Sequence, residues 1–91
     1  MSHLFKEKID AGIKYLDENR PNWFNEIDLQ RLSMIQWHNC ILGQLDLWKD
    51  FFEATVAINH GFDCYESYNY SILDSMWKEV ILERRKRALE N

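Results

Sequence analysis

Two histidines and two cysteines are the first residues in this chain whose types invite chemistry: His38 with Cys40, and His60 with Cys64. Two imidazoles and two thiolates make a legitimate tetrahedral zinc set. The spacing argues against it. A single residue between His38 and Cys40 is uncommon in zinc sites, and on a helix the two side chains point to different sides. The alternative is that Cys40 acts as a small buried hydrophobe while both histidines lie at the surface or cap helices. Nucleophilic catalysis has no local signature either, such as a strand-to-helix elbow or a glycine-flanked thiol. Cys40 sits beside Ile41 and Leu42, which predicts burial and a raised, inert thiol; Cys64 is expected to be the more exposed of the two.

Carboxylates pair at helical spacing at Asp46/Asp50 and Asp50/Glu53. A glycoside hydrolase needs its carboxylates across a cleft, and a domain of 91 residues has little room for one. Gly12, Gly43 and Gly61 are scattered singly, so neither a phosphate-binding loop nor a dinucleotide fingerprint is present. The expectation is a protein without cofactor, bound metal or enzymatic activity. Gly43, inside a predicted helix, costs roughly 1 kcal/mol against alanine. Its compensation is expected from the close approach of another backbone or of a large ring, Trp77 or Trp23; the alternative is a ligand over the bare backbone.

What remains is an interface. Tyr65, Tyr68 and Tyr70 share an acidic loop with Asp63 and Glu66, beside a predicted helix carrying Asp50 and Glu53. Tyrosines supply rigid contact area and carboxylates steer a basic partner. These seven residues are the predicted partner-binding set. The competing reading is a surface loop whose tyrosines fold back on the core.

The elements that must position these residues read as helices. Thirteen aromatics in 91 residues exceed what a small core readily hides, so some Trp or Tyr must reach the surface. Phe5, Ile9, Ile13 and Leu16 mark an amphipathic helix over 3–18, with Ser2 as N-cap. Pro21 ends the break at 19–22 and opens a helical turn over 21–26 carrying Trp23 and Phe24. Residues 27–32 form a connector that anchors Ile27, Leu29 and Leu32 in the core. Trp37, Ile41, Leu45, Trp48 and Phe52 recur at steps of four, four, three and four, which predicts a central spine: one helix from Ser33 to about Leu47, then a second over about 48–60 capped by Gly61. Residues 62–71 are a polar loop. The last helix starts at Ser71, with Asp74 completing a weakened capping box, and Ile72, Leu73, Met76, Trp77, Val80, Ile81 and Arg84 follow its helical face. The fold class is therefore all-α, a single domain over 1–91 of four to five helices, with a basic helix end at 84–91.

Charge is unevenly spread. Arg84, Arg85, Lys86 and Arg87 hold four of the eleven bases, whereas Glu26 to Glu83 carries ten acids against three bases, a balance of −7. An acidic body argues against nucleic acid as a direct partner. Apolar runs are too short to span a membrane, and the N-terminus lacks a signal-peptide core, so a cytoplasmic protein with two free thiols is expected.

Six short segments in order carry a resemblance: 12–18 (GIKYLDE), 21–23 (PNW), 27–29 (IDL), 39–45 (NCILGQL), 60–63 (HGFD) and 77–81 (WKEVI). Together they resemble a group of small proteins encoded by tailed bacteriophages and prophages, which often read LDE, PGW, IDL, CVLGQ, GF and a closing W-x-x-x-I-x-x-R. Asn22 stands where glycine is usual and Ile41 where valine is usual. The resemblance spans about residues 12–85 and brings no activity or catalytic residues with it. It implies a setting in a bacterial host, where small acidic phage proteins commonly bind and disable or redirect a host protein, as anti-defence inhibitors such as anti-CRISPR proteins do. The expected partner is a host protein with a basic surface. The rival expectations are a self-associating homodimer built on surplus aromatics, and a small zinc-binding protein.

Overall fold

The computed structural model describes residues 3–90; the Ser2 cap expected from the sequence lies outside them. Four α-helices form: α1 His3–Asn19, α2 Ile41–Leu45, α3 Ala54–Asn59 and α4 Tyr70–Glu90. Three single 3₁₀ turns, Trp23–Asn25, Trp48–Asp50 and Ser67–Asn69, join them, and no strand occurs among the described residues. The chain is all-α. No helix is long and apolar enough to cross a membrane.

The long first and last helices follow their apolar spacing. On α1, Phe5, Ile9 and Leu16 are buried, and Ile13 packs against them. On α4, Leu73, Trp77 and Ile81 are buried at steps of four. At 21 residues, α4 spans about 31 Å, most of the molecule's 37 Å long axis. Between these helices, aromatic rings fill the centre. Trp23 meets Trp77 edge-on at 5.9 Å, Trp77 stacks on Phe62 at 5.4 Å, and Phe62 meets Phe51 edge-on at 5.1 Å. Such pairs add a specific geometry to the burial of large rings. The Trp77 indole N–H donates to the Gly61 carbonyl at 2.7 Å, so its one polar atom is satisfied in the core.

The central spine predicted from Ser33 to about 60 does not form. Residues 33–40 are a chain of turns, with Gln36 N–H donating to Ser33, Asn39 N–H to Gln36, and Ser33 N–H returning to Asn39. Only Ile41–Leu45 is helical, and it ends where Asp46 enters the left-handed region at φ 57°. The Leu47 N–H then donates to Leu42 and the Asp46 N–H to Gly43, the Schellman pattern of a helix end. Residues 48–60 divide into a 3₁₀ turn and the six-residue α3. Ile41 and Leu45 are buried, but Trp37 and Phe52 are 64% and 82% exposed. The helical spacing does not become a continuous axis, because the turns at 33–40 displace Trp37 before α2 begins and the reversal at Asp46 resets the phase after it ends.

Gly43 has a tertiary reason. A side-chain carbon there would sit 2.0 Å from the Trp37 carbonyl oxygen, so its neighbour is the Trp37–His38 backbone and neither Trp77 nor Trp23. Gly61 caps α3 as expected, at φ +73°, with Phe62 N–H donating to Ala57 and Gly61 N–H to Ile58.

Two further expectations change. The last helix starts at Tyr70, and Asp74 closes no capping box: its carboxylate accepts the Met34 N–H at 2.6 Å, tying the turn segment to α4. The basic run is largely engaged. Arg84 forks onto Asp17, Arg85 donates to the Phe24 and Ile27 carbonyls, and Arg87 pairs with Glu83.

Candidate docking surface at the tyrosine loop

The loop from Asp63 to Asn69 is held by its own polar groups. The Asp63 carboxylate accepts the Cys64 N–H at 2.8 Å and the Tyr70 hydroxyl. The Cys64 thiol donates to the Glu66 carbonyl at 3.3 Å, and the Asn69 N–H donates to the same carbonyl at 2.9 Å. Asp63 and Tyr70 therefore act inside the loop, folding it back onto the first turn of α4. Burial, the hydrogen bond to Asp63 and that carboxylate's charge together push the Tyr70 phenol well above its ordinary range.

Outside this brace, Tyr65 and Tyr68 are 73% and 74% exposed and Glu66 is exposed between them. Tyr65 and Glu66 border a cleft of about 290 Å³ floored by Phe5, Ile58 and Cys64, with Lys8 on its other wall. Of the seven predicted residues, four (Asp63, Tyr65, Glu66 and Tyr70) thus meet around one brace and its cleft, and Tyr68 stands exposed on the same short loop.

Asp50 does not join them. Its carboxylate accepts the Tyr15 hydroxyl at 2.8 Å, while the cleft rests on Phe5 and Lys8 of the same helix. Seven or more residues along α1 separate the two places by at least about 10 Å. Burial and the Asp50 hydrogen bond raise the Tyr15 phenol pKa. Glu53 is exposed at the N-cap of α3 and its side chain makes no capping bond. Because no single helix runs through 46–53, Asp46, Asp50 and Glu53 do not share one helical face.

The metal and thiol candidates resolve individually. Cys40 is fully buried, donates to the Trp37 carbonyl at 3.5 Å, and accepts the Gly43 N–H as N-cap of α2. Cys64 is the more exposed of the two thiols, as expected, yet at 8% it too is buried, at the base of the cleft. Burial raises both thiol pKa values, and the Asp63 carboxylate adds to each. The His60 Nδ1 lies 2.9 Å from the Val56 carbonyl at the end of α3, and His38 is exposed with its ring 4.4 Å from that of Trp37. Among the described residues, no three His, Cys, Asp or Glu side chains converge to hold a metal ion.

Sequence reasoning missed Tyr15 as the partner of Asp50, and Phe5 and Lys8 as residues lining the cleft. Phe5 and Lys8 are three apart on one helix, so their shared face was legible; the loop that covers it was not. Comparison with protein-family models, with curated proteins and with solved structures finds no match to this chain.

Proposed function

We propose that this chain is a non-enzymatic accessory protein of the tailed-bacteriophage kind, binding a host protein through its tyrosine loop and disabling or redirecting it as an anti-defence inhibitor does. The observation that carries this reading is the contrast within one loop. Asp63, Cys64 and Tyr70 are spent on fixing the backbone, and Tyr65 and Tyr68 are left outside it. Aromatic side chains presented by a braced loop lose little freedom on binding, which favours affinity. The adjacent cleft offers an apolar floor for one partner side chain.

Charge selects the partner. Between Lys49 and Lys78 the chain has no base but carries Asp50, Glu53, Asp63, Glu66 and Asp74. At the loop itself Glu66 is the exposed carboxylate between the two tyrosines, and with a net charge of −4 on the chain it favours a basic protein, for example a nucleic-acid-binding host factor such as a CRISPR effector or a transcription protein. Arg84, Arg85 and Arg87 have protein partners within the chain, which favours a protein over a nucleic acid as the direct target. The site of action is the cytoplasm of the bacterial host.

The test is recovery of a partner from host lysate by the tagged chain at about 0.05 M and about 0.5 M salt. A partner is expected at low salt, weakened at high salt, and lost from the Tyr65→Ala/Tyr68→Ala variant while the Tyr15→Phe variant keeps it. Recovery indifferent to salt or unaffected by the double substitution would falsify this reading.

A further inference from the structure

Helix α4 carries an exposed stripe of mixed charge and apolar character. Glu79, Leu82, Lys86 and Leu89 follow one another at steps of three, four and three, which places them on one side of the helix. All four are exposed, Leu82 at 57% and Leu89 at 88%. Glu79 and Lys86 are opposite charges seven residues apart, about 10 Å along the axis, and neither makes an ion pair among the described residues. Their neighbours Glu83 and Arg87 are satisfied by each other. Glu79, Leu82 and Lys86 of the stripe also line a groove of about 790 Å³ between α1 and α4, where Ile9, Met76 and Val80 are interspersed with charged side chains.

We propose that this face receives a second copy of the chain, with the two α4 helices antiparallel across a two-fold axis near Leu82. The argument is charge and register. A two-fold axis between positions 82 and 83 puts Glu79 of each copy opposite Lys86 of the other. It brings the two Leu82 side chains together at the axis. The same register sets Leu89 of each copy opposite Met76, one of the apolar residues lining the groove. A stripe acidic in one half and basic in the other is complementary to itself only when reversed, which is what an isologous contact requires. This face is separate from the tyrosine loop, so a dimer would present two loops to its target.

The test is sedimentation equilibrium of the full chain from about 1 μM to about 1 mM. The apparent mass is expected to rise from that of one chain toward that of two. Leu89→Glu weakens association at least tenfold, with the helical circular dichroism unchanged because Leu89 is exposed. Glu79→Lys and Lys86→Glu each weaken it by roughly tenfold, and the two together restore it to within about threefold. A single-chain mass throughout, indifference to Leu89→Glu, or a charge swap that fails to restore association would each overturn the proposal.

Discussion

The carbonyl oxygen of Trp37 lies 2.0 Å from the point where a side chain on Gly43 would begin. That carbonyl also accepts the Trp48 indole N–H at 2.7 Å and the Cys40 thiol. The turn segment is thus fastened to α2 through one backbone atom, while the Trp37 ring itself stays in solvent. Replacing Gly43 with alanine gains roughly 1 kcal/mol of helix propensity but forces this junction apart. The expected net result is a loss of about 1–3 kcal/mol, read as a lower urea midpoint at unchanged slope. An unchanged or higher midpoint would show that the junction yields freely.

The basic run separates into unequal members. Arg85→Ala strips the hydrogen-bond partner from two carbonyls, Phe24 and Ile27, and is expected to cost about 2–3 kcal/mol. Arg84→Ala removes a half-exposed ion pair but leaves Asp17 bonded to the Trp23 indole, so about 1 kcal/mol or less is expected. Lys86→Ala should change monomer stability by no more than about 0.5 kcal/mol. Urea unfolding of the three variants checks the order, and equal effects would contradict it.

Alkaline pH should weaken the fold through two tyrosines. Tyr15 and Tyr70 are raised above the ordinary value near 10, first by burial and then by their hydrogen-bonded carboxylates. The folded state therefore holds these protons more tightly than the unfolded chain does. Their contribution is fully present below about pH 10 and is lost as pH climbs from there toward the folded values. Urea midpoints measured at about pH 8, 9.5 and 11 should fall over the last interval, and less steeply in the Tyr15→Phe/Tyr70→Phe variant. Parallel curves for the two proteins would remove these phenols as the cause.

Thiol chemistry gives a sharper contrast than composition suggests. With both sulfurs buried and their pKa values raised, Cys40 and Cys64 should react with a disulfide reagent near pH 8 far more slowly than in denaturant. Cys64 should react first, because it floors the open cleft and Cys40 lies in the core. A Cys64→Ser variant whose remaining thiol reacts as fast as the native chain would reverse that order.

The sequence alone determined the helical class, the extent of α1, that of α4 to within one residue at its start, the apolar faces of both, and the Gly61 cap. Each follows from contacts within a few residues: apolar spacing near 3.6, and a position where a positive φ suits glycine. It also placed Tyr65, Glu66 and Tyr68 on a surface loop, because polar and aromatic residues outnumber apolar ones there. Only the tertiary structure decided the middle of the chain. Trp37 to Phe52 carries a helical period, yet it is broken into turns because long-range partners compete for the same groups. The Trp37 carbonyl, which a continuous helix would give to the Ile41 N–H, accepts the Trp48 indole and the Cys40 thiol instead and fills the space over Gly43, and Asp46 reverses the chain. Whether a carboxylate faces solvent or a phenol was likewise set by packing: Asp50 meets Tyr15 across 35 positions, a separation that no local pattern encodes.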